Sequence, residues 1–209
     1  MKPSLSLAFG LTLFVVGCGL SQRPFVPTHY YSIDLQPPAP SPAAKPVDCL
    51  LAVRAFDAAS RYRERILYRK AGPAAGYHEY DRWVEPPAEM VTAAFRRAIE
   101  AAGVARVVAD ERLVRRSDLV LDGRVTRFDE VQGDPQWAAD CEIELVLRQA
   151  EDNTVLLATR LAANRPAKEK TTVSFVEAMN ANVAELAAKA TDAVAKALAA
   201  YAARPRPKP

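Results

Sequence analysis

The first seventeen residues constrain the rest of the chain more than any other feature. Lys2 precedes an apolar run from Leu5 to Val16, which ends in Gly17 and Cys18. This is the three-part layout of an export signal. About a dozen apolar residues are too few to cross a bilayer, whose ~30 Å hydrocarbon core takes roughly 20 in helical form. The run is therefore expected to be read by an export machinery and removed, so that everything behind it folds outside the cytoplasm.

The segment Val15-Val16-Gly17-Cys18 resembles the lipobox of bacterial lipoproteins: aliphatic residues, a small residue at the cut, then cysteine. The resemblance implies that the Cys18 thiol takes a diacylglyceryl group, that the chain is cut before it, and that the new amine is acylated. The alternative is an ordinary signal with a chance cysteine. Several acyl chains, each contributing about 0.8 kcal/mol per buried methylene, anchor a protein far more firmly than one. Residue 19 is glycine rather than aspartate. In the sorting rule that accompanies the lipobox, this implies the periplasmic face of the outer membrane.

Four segments are expected: a signal peptide over 1–17, a lipid-anchored tether over 18–29, one α/β domain over 30–201, and a disordered tail over 202–209. Loss of the signal takes only Lys2 from 28 basic and 25 acidic side chains, so the mature chain stays near neutrality. The basic residues are dispersed, which argues against a nucleic-acid partner. A hydrophobic content of 50% is ample for one core. With Cys18 acylated, Cys49 and Cys141 remain. Each lies on the apolar face of a predicted strand, and the choice between a disulfide and two separately buried thiols stays open.

Alternation predicts a short strand over Tyr30–Leu35, and a proline-rich connector follows from Gln36 to Pro46. Leu50–Phe56 reads as a buried strand. Ile66–Arg69 and Tyr77–Tyr80 flank a Gly72–Gly76 turn as a hairpin. Pro86-Pro87 and Gly103 bracket a helix whose Met90, Val91, Ala94, Phe95, Ala98 and Ile99 share one face. Strands follow over Ser117–Glu130, Asp140–Gln149 and Thr154–Ala162. A closing helix is expected from Ser174 to Tyr201, opened by a Ser174/Glu177 capping box. The fold class is α/β, an α+β sandwich with a mostly antiparallel sheet covered by two helices.

Chemistry-bearing constellations are scarce. The two histidines fall in the tether (His29) and in a strand (His78), where an exposed position is expected. Neither a Gly-x-Ser-x-Gly elbow nor a phosphate loop accompanies them. Two histidines and two cysteines at unrelated spacings make no zinc site. Glu79, Asp81, Glu85 and Glu89 read as a solvated edge rather than as paired acids. These readings point away from an enzyme, a metal or a cofactor.

Several stretches together resemble the ABC-type transport auxiliary lipoprotein family (PqiC-like). They are Tyr30–Leu35; Leu51–Phe56 with Tyr62–Arg69; Tyr80-Asp81-Arg82-Trp83-Val84-Glu85-Pro86-Pro87 leading into the helix; and Asp118–Phe128. The resemblance implies a non-catalytic lipoprotein beside an ABC transporter whose periplasmic subunit carries an MCE domain. Such systems move phospholipids or other hydrophobic substrates between inner and outer membranes. It also implies a docking or channel-end role, with a homo-oligomeric ring as one form. Two other readings compete: a plug or assembly lipoprotein for an outer-membrane protein, similar to that of lipopolysaccharide export, and a periplasmic lipid carrier. Trp83 either packs its hairpin on the first helix or contacts a partner. Arg165, Lys168 and Lys170 are the candidate partner contacts, with the turns Lys70–Gly76 and Gln132–Gln136. The helix stripes and strand faces account for the apolar residues, so no sizeable apolar cavity is expected.

Overall fold

The computed structural model describes residues 25–35, 45–70 and 72–204. Cys18, most of the expected tether, most of the proline-rich connector and most of the expected tail lie outside the described residues.

Three long strands organise the sheet: β7 (Leu119–Gln132), β8 (Trp137–Gln149) and β9 (Val155–Pro166). They pair antiparallel in sequence order. The other edge of β7 takes three partners in succession, all parallel. β2 (Val47–Val53) pairs at Leu119–Leu121, β3 (Asp57–Ala58) at Arg124–Val125 and β4 (Arg65–Lys70) at Glu130–Gln132. Beyond β2 lies β6 (Ala105–Asp110), and beyond β4 lie β5 (Ala75–Trp83) and β1 (His29–Tyr31). The result is a mixed nine-stranded sheet curled into a half-barrel with two helices, the expected α+β class. Its longest ladders are antiparallel. The parallel pairs join segments far apart in sequence, which no turn announces. β1 is shorter than the predicted Tyr30–Leu35 and includes His29, and β3 and β6 carried no local signal that was read as strand.

Helix α1 (Pro87–Ala101) begins at a proline whose missing N–H needs no partner there. Past its end Gly103 adopts φ +62°, the left-handed conformation that glycine takes without strain. Its Val91, Phe95 and Ile99 are fully buried. Helix α2 (Thr172–Ala202) starts earlier than expected, because its cap is Thr171, whose hydroxyl accepts the Ser174 N–H at 3.2 Å. Ser174 is instead a buried residue whose Oγ accepts the N–H of Glu169 at 3.1 Å. Met179, Val183, Leu186, Ala190, Val194 and Leu198 form its buried stripe. Among them Asn182 is fully buried and donates to the carbonyls of Ala139 (2.9 Å) and Ala163 (3.3 Å), tying α2 to β8 and β9. No described helix is long and apolar enough to cross a membrane.

At the centre of β7 the sheet lets another part of the chain lie directly on its backbone. A Cβ added at Gly123 would meet the Phe56 ring at 2.6 Å, and that ring also packs edge-to-face on Phe95, 5.6 Å away. Cys49 on β2 and Cys141 on β8 are both buried, and no disulfide joins them. Cys141 stands opposite Phe128, whereas Cys49 precedes Leu51, which stands opposite Leu119. The nine residue steps between those points of β7 span about 30 Å of strand path, and a disulfide needs its Cα atoms within about 7 Å.

Candidate functional site: two rims of the sheet

The strand registers bring all three turns singled out in the sequence to one end of β7. Lys70 of the β4–β5 turn stands opposite Gln132, Gln132 stands opposite Trp137 across the β7–β8 turn, and Pro166 stands opposite Ala138. Hydrogen bonds lace the loops together: Gln136 donates to the Ala167 carbonyl at 2.9 Å, and Lys170 Nζ lies 3.3 Å from Asp134. Strand β1 runs parallel to β5, β5 antiparallel to β4, and β4 parallel to β7. The upstream end of β1 therefore points toward this same rim, while β1 itself pairs with Asp81–Trp83, at the end of β5 away from the β4–β5 turn.

The candidate contacts on this rim already have partners. Arg165 belongs to β9 rather than to a loop, and its Nη2 lies 2.8 Å from Glu185. Lys168 reaches Glu177 at 3.9 Å, and Lys170 reaches Asp134. Trp83 is 1% exposed and packs on Phe128 and Phe175, with ring centroids 5.3 and 5.9 Å away. Trp83 is thus a core residue and not a partner contact. Large aromatics gain most by full burial.

Beneath the rim lies a polar network that the sequence hid. Both histidines of the chain converge on the Asp81 carboxylate, His29 Nδ1 at 3.1 Å and His78 Nδ1 at 3.3 Å. The other nitrogen of His78 lies 3.1 Å from Glu130, which is 0% exposed. Thr172, at the start of α2, donates its hydroxyl to Asp81 at 2.9 Å, and the carboxylate also sits favourably near the helix N-terminus. The expectation of an exposed His78 is therefore corrected. Its hydrogen bond to Glu130, opposed by burial and helped by the charges of Glu130 and Asp81, raises its pKa above the ordinary histidine value. On the opposite side of β7 the neighbouring Asp129 is also buried, and it accepts from Tyr62 at 2.8 Å and from Arg69. Among the described residues no group of three or more His, Cys, Asp or Glu is arranged to hold a metal ion.

Two hollows among the described residues bear on function. The first, of about 310 Å³, lies between α1 and α2 and is lined by Leu35 and by alanines that include Ala94, Ala98, Ala184 and Ala187. It corrects the expectation that no apolar cavity remains, because methyl groups are too small to fill the space between two helices. The second, of about 630 Å³, lies at the opposite end of β7 and is walled by Arg54, Arg115, Arg116 and Arg148. Arg54 there bridges Glu111 (2.6 Å) and Asp122 (2.9 Å), and its hydrogen bonds hold the Glu111 carboxyl below the usual carboxylate range.

Comparison with known proteins places this architecture. A crystal structure of a Xanthomonas campestris protein of the DUF330 family superposes with a TM-score of 0.74 at 21% identity, over 83% of this chain and 99% of that one. A second crystal structure, of an uncharacterized protein, gives 0.65 at 14% identity, over 81% of this chain and 99% of that one. At these identities the likeness is one of fold. No curated protein matches. The family model described as ABC-type transport auxiliary lipoprotein component matches residues 31–190. The chain belongs to that family.

Proposed function

We propose that this protein is the outer-membrane lipoprotein of an MCE-type ABC transport system. Acylated at Cys18 and facing the periplasm, it serves as a non-catalytic docking or channel-end subunit while phospholipids or other hydrophobic substrates pass between the membranes. The observation that carries the reading is the match to the auxiliary lipoprotein family over residues 31–190. Two features support it. The upstream end of β1 points toward one rim, away from the end of β7 that carries the arginine-walled hollow. The histidine network binds β1 to the sheet and to α2, as a domain held by its N-terminus requires, and both histidine rings are engaged by carboxylates.

The test is a pull-down of an MCE-domain subunit from the same cell, using the acylated full-length chain. Capture of that subunit is expected, together with membrane pelleting that Cys18→Ser abolishes. Failure of the wild-type chain to capture it sinks the reading. Charge reversal at Arg165, Lys168 and Lys170 together is expected to weaken capture in a salt-dependent way. Unchanged capture removes the tether-side rim from the docking surface and leaves the reading standing. The lipid-carrier reading is favoured by one observation, the apolar hollow between α1 and α2, which is near the lower size of ligand cavities, about 300 Å³. A stoichiometric lipid extracted from the purified monomer would select it.

A further inference from the structure

The β6–β7 connection, residues 111–118, crosses the face of the sheet that carries no helix. Val120 alternates with Leu119 and Leu121, which belong to the helix-side core, and it is buried beneath this connection. Between the connection and the β8–β9 turn opens the 630 Å³ hollow. Of the two acidic residues on its wall, Glu111 is engaged by Arg54, and Glu151 stands exposed at the β8–β9 turn with no ion pair among the described residues, so the four arginines outnumber the carboxylates. Asp110 holds Arg112 at 2.7 Å, Glu111 and Asp122 hold Arg54, and Asp122 also holds Arg148 at 2.8 Å. Arg115 and Arg116 are exposed, and among the described residues neither has an ion pair. Leu113, 84% exposed, lies in the chain between the wall residues Glu111 and Val114.

We propose that this hollow docks an acidic segment of a protein partner, which places a carboxylate between Arg115 and Arg116 and an apolar side chain on Leu113. Two guanidinium groups on neighbouring residues offer planar donor pairs that match carboxylate oxygens. Arg54 and Arg148 are held back by their own acids, so they form a wall instead of competing for the ligand. The concavity selects the class of partner. A bilayer surface would touch Leu113 and leave the hollow unfilled, whereas a protruding protein segment fills it. Buried arginine and apolar anchors ringed by polar contacts are also what concentrates binding energy in protein interfaces. The hollow lies about 40 Å of strand path from the rim at the other end of β7, at roughly 3.3 Å per residue. On the proposed lipid attachment, it faces away from the anchoring membrane.

The experiment uses the purified mature chain and a labelled twelve-residue peptide of alternating glutamate and leucine. The controls are a lysine–leucine peptide, a glutamate–serine peptide and vesicles of phosphatidylglycerol. The glutamate–leucine peptide is expected to bind, at least tenfold more weakly to R115E/R116E and severalfold more weakly to L113S. The glutamate–serine peptide should bind severalfold more weakly than glutamate–leucine, and the lysine–leucine peptide should not bind. R115A/R116A serves as a second variant should the charge reversal perturb folding, which a melting curve detects. Absence of peptide binding, or binding unaltered by both arginine variants, overturns the proposal. So does arginine-dependent binding to the vesicles alone, which would make the site a lipid-headgroup surface. No transporter enters this assay, so its failure leaves the transport reading untouched. Failure to capture the MCE subunit likewise leaves the peptide result intact.

Discussion

The two ends of β7 handle charge in opposite ways. At the tether-side end, the carboxylates of Glu130 and Asp129 are buried, that of Asp81 is half-buried, and they are shared: Glu130 and Asp81 hold His78, Asp81 also holds His29, and Asp129 holds Tyr62 and Arg69. At the far end the ion pairs are exposed or partly exposed, and two arginines have no ion pair among the described residues. A buried charge that loses its partner costs several kcal/mol, while an exposed one costs little. The first end therefore contributes to holding the fold together, and the second is free to meet a partner without unfolding anything.

The largest expected effect breaks this comparison directly. Glu130→Gln removes the carboxylate that His78 faces in a fully buried site, and it should cost about 3 kcal/mol in denaturant unfolding. A loss under about 0.5 kcal/mol would show that the tether-side network is no more structural than a surface pair. Next comes Asn182→Ala, expected to cost about 1–3 kcal/mol, because it strands the carbonyls of Ala139 and Ala163 under α2. An unchanged midpoint would mean that water replaces the amide.

Smaller still is a pH effect. His78 is faced by Glu130 and Asp81, and by the Tyr68 ring edge-on, with His29 on the far side of Asp81. Its pKa is raised in the folded state. Its contribution to stability is thus complete below the unfolded value of about 6.5 and is lost as pH rises through the folded value. Melting temperature should decline from pH 6 upward, and His78→Gln should flatten that slope. A slope unaffected by the substitution would assign the decline to other groups. The smallest expected effect lies at the other end, where R115A/R116A should shift stability within about 0.5 kcal/mol. A larger loss would mean that these arginines support the fold and that the two ends are less different than their charge pairing indicates.

The helices, the β4–β5 hairpin and the β8–β9 turn were legible because their signals are local. Apolar residues recur at three- and four-residue steps in α1, prolines and a glycine bracket it, and Asn153 takes φ 61° where Glu-Asp-Asn marks a turn. Strand β6 was missed because Arg106 and Val107 are both exposed and break any alternation, and its pairing partner β2 lies more than 50 residues upstream. The helix cap was misplaced by one turn because Thr171 and Ser174 both satisfy the capping chemistry, and packing decided between them. The histidine network could not be read at all. His78 and Glu130 are 52 residues apart, and each looks like a strand residue on a wet face.

What the sequence determined by itself is the family, a resemblance borne out over residues 31–190, and with it the expectation of an export signal and of a lipidated Cys18. Those properties sit in contiguous residues, where spacing and side-chain type are the whole signal. Only the tertiary structure decided which charges are buried and which stay open. Burial depends on what a distant strand or helix lays over a residue, and so the same alternating pattern in β5 and β7 hides Glu130 while a loop elsewhere leaves Arg115 and Arg116 in water.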